Sequence, residues 1–320
     1  MNLAPFLQGF QVENFPTDPV SNALYYVRDH QNPMNPARAY ITDHLASPRI
    51  IGRDVMTSDR TYYVDPAGSD DTGDGSAIYP WRNIWYAWLW ISEHIDLGGR
   101  ALTIQLAPGS YVGGFSTYGP VDRAPWDGYY NFTFPMGSGS VIVRGDPNTP
   151  QNYMVEPNDV SDWLGFEVVQ STSLYLVIEG VWIRAMPTYS SASGALTSYG
   201  FLDIFHCIIG ETGKTMGVGL VSANGPGSFV RALYTEFRGT FTAIGQTYGG
   251  VVVVGYCTFT NVTCTNAGLL AQDSGRMNSA GNTGTITGKR ANASSNSVIH
   301  GASSFPGTIA ATSDTGGQLL

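Results

Sequence analysis

The sequence predicts a mostly β chain wound as a parallel β-helix, with one aromatic helix near its start. Three observations carry that expectation. The first is composition: 39 glycines, 18 tyrosines and 16 Lys plus Arg in 320 residues describe short strands and tight turns rather than the Ala, Glu, Lys and Leu mixture that helices favour. The second is an internal repeat in the middle of the chain. The third is that helical spacing of apolar residues stands out in one stretch alone.

Residues 1–58 come first. Pro5, Pro16, Pro19, Pro33, Pro36 and Pro48 are scattered among apolar residues such as Phe6, Phe10, Phe15, Ile50 and Ile51 with no clear period. The expectation is an irregular, largely extended module that docks on a partner protein. Residues 59–100 follow as a strand, a dense Asp/Gly turn and a helix, read from "YYVDPAGSDDTGDGSAIYPWRNIWYAWLWI" at 62–91. Over 82–96, Ile84, Trp88, Ile91 and Ile95 recur at helical spacing, and Gly98-Gly99 supplies a stop signal. A β-helix leaves the end of its core and a strand edge open, so this Trp-rich helix is expected to be the lid. The turn has a competing reading as a calcium loop, since Asp70, Thr72, Asp74 and Gly75 mimic the start of an EF-hand. Its twelfth position is Trp81, where a bidentate Glu is required, so no metal is expected.

The repeat occupies residues 101–290. Four segments align on a glycine followed by an apolar run: Gly200, Gly227, Gly250 and Gly275, at steps of 27, 23 and 25. The runs close on Ile209, Phe237, Phe259 and Ile286, with an earlier copy ending at Ile183, so the closing steps are 26, 28, 22 and 27. Period-2 alternation with a variable loop per unit means one coil stacked on the last. Ile183, Ile209, Phe237 and Phe259 then point inward, with Val181, Cys207, Thr235 and Cys257 as a second inward ladder. Gly180 and Trp182, His206 and Ile208, Tyr234 and Glu236, Tyr256 and Thr258 point outward. Trp182, His206, Ile208, Tyr234 and Tyr256 make that outer row aromatic and apolar, so a neighbouring subunit is expected to cover it. Residues 291–320 are assigned to a C-terminal cap.

Several function classes are disfavoured. A net charge of −9 and 13% charged residues argue against nucleic acid as a partner. Neither a basic leader with an apolar run nor a stretch of about 20 apolar residues is present, so a signal peptide and membrane insertion are not expected. The three cysteines, Cys207, Cys257 and Cys264, fit neither a disulfide framework nor a zinc site, and no cofactor is expected.

The stretch at 62–91, with "LTIQLAPGSYVGG" after it, resembles the start of a pectin-lyase-like right-handed parallel β-helix, in the version found in tail-fibre and tailspike-type proteins of bacteriophages and prophages. The far end, "TGTITGKRANASSNSVIHGASSFPGTIAATSDTGGQLL", is similar to the C-terminal stretch of such proteins. The likeness spans roughly residues 60–320. It implies a virion surface protein made in the host cytoplasm, a homotrimer, attached to other virion proteins through residues 1–58, with its coils facing host surface polysaccharide.

Two functions remain open on that basis. One is a non-enzymatic fibre, spike or head decoration that adheres to the polysaccharide; the other is a depolymerase. A glycosidase needs two carboxyls about 5–9.5 Å apart, and Glu179, Asp203, Glu211, Glu236 and Asp273 do not align against the repeat. Glu156, Asp159, Asp162 and Glu167 form a looser acidic cluster ahead of it. Adhesion is therefore favoured. For a sugar site, "YGPVDRAPWDGYYNF" offers flat rings at Trp126, Tyr129 and Tyr130 and hydrogen-bonding groups at Asp122, Arg123 and Asp127. The alternative for that loop is packing over the first coil.

Overall fold

The computed structural model describes residues 8–12, 20, 23–27, 38–42, 48–51, 53–116, 137–156, 166–168, 174–184, 196–198, 200–222 and 227–320. Among these the chain is mostly β with one α-helix, and most strands belong to two long sheets of parallel neighbours. The ten-stranded sheet takes one strand from each pass of the chain. It runs from Arg60–Val64 through Ala101–Leu106, Gly139–Arg144, Leu174–Glu179, Phe201–Phe205, Phe229–Leu233, Val251–Gly255, Arg276–Ala280 and Val298–His300 to Gln318–Leu319. A thirteen-stranded sheet receives the chain after each of these, with Tyr153–Glu156, Trp182–Ile183, Ile208–Ser222, Glu236–Tyr248 and Thr258–Cys264 among its members. Each pass laying a parallel strand on the one before is consistent with a parallel β-helix.

Alternation drives this winding. In Phe201–Phe205 the inward Leu202 and Ile204 are fully buried, and the next passes bury Val230 and Ala232, then Val252 and Val254. These residues, the lid helix and the last coils share one continuous apolar core. Ile183 pairs with Ile209, Ile209 with Phe237 and Phe237 with Phe259, and the last two rings stack at 5.5 Å. The second inward ladder of Val181, Cys207, Thr235 and Cys257 is likewise buried. Burial pushes the thiols of Cys207 and Cys257 up to about 12, so both remain protonated at neutral pH.

The register departs from expectation at two places. Ser228, rather than Gly227, shares a register position with Gly200 and Gly250, since Phe201 pairs with Phe229 and Phe229 with Val251. Ile286 pairs with Val262, while Phe259 faces Gly284, because the ladder slips between Phe259 and Val262. Asn261, in the left-handed region at φ 53°, supplies the extra residue of that bulge.

The helix spans Ile84–His94 and buries Ile84, Trp88 and Ile91, with Ile95 buried just beyond it. It packs against Arg60–Val64, the end strand of the ten-stranded sheet, which is the position expected of a lid. The Asp/Gly turn serves this helix directly. Asp70 Oδ1 accepts from the backbone N–H groups of Arg82 (2.8 Å) and Asn83 (3.1 Å), and Oδ2 accepts from Asn83 Nδ2 (2.6 Å). A carboxylate thirteen residues upstream thereby holds the start of the helix, where no side chain of the helix does so. Gly75 has φ 78°, and a Cβ there would collide with the Trp81 ring at 2.7 Å.

Among its described residues the N-terminal module is regular rather than irregular. Gln8–Val12, Ala23–Val27, Arg38–Thr42 and Pro48–Ile51 form their own four-stranded sheet, one parallel pair followed by two antiparallel ones. The scattered prolines obscure strands of four or five residues, too short to show a period. Residues 53–58, assigned with that module, lean on the main body instead. Asp54–Val55 pairs with Ile95–Asp96, Met56 is buried in the main core, and Arg60 forms a buried ion pair with Asp54. At the other end, Ala291–Ala293 and Thr312–Ser313 continue one long sheet, and Val298–His300 and Gln318–Leu319 continue the other. Winding therefore carries on past 290, and Phe305 fills the core of the last coils against Phe259 at 5.3 Å.

Candidate functional site

Three outward columns run across the middle of the ten-stranded sheet. Tyr175, Phe201, Phe229 and Val251 form the first, Val177, Asp203, Arg231 and Val253 the second, and Glu179, Phe205, Leu233 and Gly255 the third. This face is largely apolar, with Asp203 and Arg231 at its centre and the Glu179–Arg144 ion pair at its border. Asp203 is 0% exposed although it points away from the core. It accepts from both Nε (2.9 Å) and Nη2 of Arg231 and from the Tyr175 hydroxyl, and the guanidinium lies 5.5 and 5.9 Å from the ring centres of Phe205 and Phe229. Burial pushes the Asp203 carboxyl above its ordinary value of 3.8, against the opposing pull of Arg231.

A corner column borders this face. Directly after each strand come Gly180, His206, Tyr234, Tyr256 and Gly281, all with φ between 51° and 65°. A non-glycine residue in this region costs about 1–3 kcal/mol, so the three aromatic positions need compensation. Stacking supplies part of it: His206 and Tyr234 lie 5.2 Å apart at 9°, Tyr234 and Tyr256 5.4 Å apart at 15°. Gly281 closes the stack, since a Cβ there would meet the Tyr256 ring at 2.6 Å. The ring faces thus cover one another and the edges point to solvent, leaving Tyr234 and Tyr256 53% and 57% exposed. A sugar platform requires free faces, which neither tyrosine offers: Tyr234 is stacked on both sides, and Tyr256 lies between Tyr234 and Gly281.

The expected single outer row is therefore two columns. Trp182 pairs with Ile208, and Ile208 with Glu236, on the thirteen-stranded sheet beyond the corner. Ile208 is also buried, contrary to expectation, at 3% exposed, while lying outside the core cluster. Trp182 accounts for this: its Nε1 donates to the Gly210 carbonyl at 2.8 Å, which lays the indole across the coil that carries Ile208.

The outer face of the thirteen-stranded sheet is built from ion pairs. Arg184 lies 5.3 Å from the Trp182 ring centre and forks onto Glu211 at 2.9–3.0 Å, while its Nη1 donates to Glu156 Oε1 at 3.3 Å. Ser110 also donates to Glu156 Oε1, at 2.6 Å. Farther along, Arg238 donates to Glu236 at 2.6 Å, and its Nε is buried with no partner among the described residues. Burial raises the Glu236 carboxyl, but bonds from Arg238 and Thr260 outweigh it and hold the group below its ordinary 4.5. Glu179 is likewise held by Arg144, at 2.7 Å. Of the five carboxylates weighed from sequence, Glu179, Asp203, Glu211 and Glu236 each bond an arginine, Asp273 is exposed without an ion pair among the described residues, and Glu211 shares its arginine with Glu156.

Sequence reasoning missed the Glu156–Arg184–Glu211 group, because Glu156 falls ahead of the recognised repeat and the loops between passes vary in length. The sugar-binding expectation for Asp122, Arg123, Trp126, Asp127, Tyr129 and Tyr130 falls on residues outside those described. Among the described residues no cluster of His, Cys, Asp and Glu could hold a metal ion, and no helix is long and apolar enough to cross a membrane. No family model, curated protein or solved structure matches this chain.

Proposed function

We propose that this chain is a structural protein of a bacteriophage virion, a tail fibre, spike or head decoration built on a right-handed β-helix of the pectin-lyase-like type. It assembles as a homotrimer, attaches to the particle through its N-terminal module and adheres to host surface polysaccharide. The observation that carries adhesion over cleavage is the pairing of Glu179, Asp203, Glu211 and Glu236 with arginines. A glycosidase needs one carboxyl protonated as general acid, and a carboxylate gripped by an arginine fork is the wrong species for that role. Two further features support the assembly: the apolar face around Asp203 and the edge-out aromatic column, which are costly for a monomer at about 25 cal/mol per Å² of apolar area.

The experiment has two arms. Antibody labelling of purified particles should decorate the virion surface, and its failure would overturn the virion assignment. Purified protein spotted on a lawn of a capsulated host should leave no halo, whereas a halo would establish the depolymerase in place of the adhesin.

A further inference from the structure

We propose a saccharide-binding site on the outer face of the thirteen-stranded sheet, formed by Trp182, Arg184, Glu156, Glu211 and Ser110, that takes uncharged or amino-substituted glycans and rejects acidic ones. The proposal rests on the adhesin reading and gives it a place and a ligand chemistry.

The residues come from four successive passes of the chain and meet only because the passes stack. Ser110 pairs with Met154 and Met154 with Trp182, which sets Glu156 beside Arg184 one strand spacing away. Arg184 lies over the Trp182 ring, 5.3 Å from its centre, so the two make a stacked floor with the guanidinium as its upper layer: the indole is pinned by its bond to Gly210, and the guanidinium plane by the two Glu211 oxygens. A rigid, pre-ordered floor keeps the entropy cost of binding low. Glu156 stands at its edge with a side chain 37% exposed. Its Oε1 already accepts from Ser110 and Arg184, whereas Oε2 has no partner among the described residues. An ionised oxygen held in place with open lone pairs is the acceptor that a sugar hydroxyl or ammonium seeks.

Charge sets the ligand class. One arginine stands against two glutamates, so the group carries a net charge of about −1 when all three are ionised. The Nε–Nη2 edge of the guanidinium is taken by Glu211 and Nη1 reaches Glu156, so a uronic acid or phosphate approaching the arginine would meet two carboxylates already seated on it. The chain as a whole adds to the repulsion of anions, at −9. Glu156 and Glu211 bond the same guanidinium, at 3.3 Å and 2.9 Å, so their carboxyl groups lie closer than the two strand spacings, about 9.6 Å, between their backbones, and distance alone does not exclude a glycosidase pair. Arg184 occupies the space between them where a catalytic water would have to sit, so the site holds sugar without cleaving it.

The test uses the full chain on an array of short oligosaccharides in four groups: neutral, N-acetylated, amino and uronic acid. Bound spots should be confined to the first three groups. Binding led by uronic acids, or no binding to any spot, would overturn the proposal. Titration of the tightest-binding array glycan should then weaken about 10- to 100-fold in Glu156→Gln, the range for losing a hydrogen bond to a charged acceptor. Trp182→Phe, which keeps a ring but loses the bond to Gly210, should weaken binding while the protein stays folded by circular dichroism. Unaltered affinity in both variants would place the sugar elsewhere on the protein. Virion labelling separates this result from the wider reading: a protein on the particle whose glycan affinity is untouched by the variants refutes the site alone, and a protein that binds glycan through Glu156 but is absent from particles refutes the virion reading alone.

Discussion

The two outer faces use the same pair of residue types, carboxylate and arginine, to opposite ends. On the ten-stranded sheet, Asp203 is wholly buried beneath Arg231 and Tyr175, within a surround of Phe201, Phe205 and Phe229. On the thirteen-stranded sheet, Arg184, Glu156 and Glu211 keep 28%, 37% and 22% of their side chains exposed. Burial makes the first group a structural commitment, since removing one charge strands the other in an apolar surround. Exposure leaves the second group replaceable for the fold and available to a ligand.

The largest expected effect removes the arginine from buried Asp203. Arg231→Met should lower unfolding free energy by about 1–3 kcal/mol, as measured in urea, because Asp203 is 0% exposed and loses its charged partner, although the Arg231 side chain is itself 34% exposed and the Tyr175 hydroxyl still donates. Arg184→Met, the matching change on the other face, should cost about 0–1 kcal/mol. Equal losses would mean that the two faces do not differ as argued.

The faces should also differ in the sign of their pH dependence. The folded-state pKa of Asp203 is raised above 3.8, so the unfolded chain gives up this proton first as pH rises. The folded state therefore loses stability, relative to Asp203→Asn, as pH climbs from about 3.8 through the folded pKa. Glu236 behaves oppositely. Its folded pKa lies below 4.5, so its contribution is complete above 4.5 and disappears as pH falls through the folded value. Thermal melts of Asp203→Asn and Glu236→Gln against the parent, across the acid range, should give differences of opposite slope, and matching slopes would contradict the assignment.

The smallest effect belongs to the corner between the faces. Tyr234→Gly relieves a left-handed φ of 52° but removes the ring between His206 and Tyr256. Strain relief of about 1–3 kcal/mol and a stacking loss of about 0.5–1.5 kcal/mol plus burial nearly cancel, so stability should shift by no more than about 1 kcal/mol. Tyr234→Val should be clearly worse, because a β-branched residue tolerates this φ poorly.

Much of the winding was legible because the repeat places like residues on like positions. Ile183, Ile209, Phe237 and Phe259 align in the sequence and in the ladder, and Val181, Cys207, Thr235 and Cys257 follow two residues behind. The lid was legible from the spacing of Ile84, Trp88, Ile91 and Ile95. What the pattern could not carry was geometry at the corner: alternation treats His206 and Ile208 as one outward set, whereas the left-handed turn at His206 puts them on different faces. Asp203 and Arg231 each lie six residues before their anchors, Ile209 and Phe237, so the repeat already held that pair; Glu156 has no anchor in the recognised repeat, so its meeting with Arg184 and Glu211 was not legible. The bulge at Asn261 displaced Ile286, one residue being enough to shift a register.

The central claim is that the apolar face and its aromatic corner are covered by other copies of this chain. Native mass spectrometry of the full chain and of the variant carrying both Tyr234→Asp and Tyr256→Asp tests it most directly. The account predicts an assembly of about 103 kDa, three times 34.4 kDa, for the parent. For the variant it predicts a folded species of 34.4 kDa, because two carboxylates at positions 53% and 57% exposed in the single chain would enter a dry contact. A parent of 34.4 kDa at every concentration, or a trimer that survives both substitutions, would contradict it.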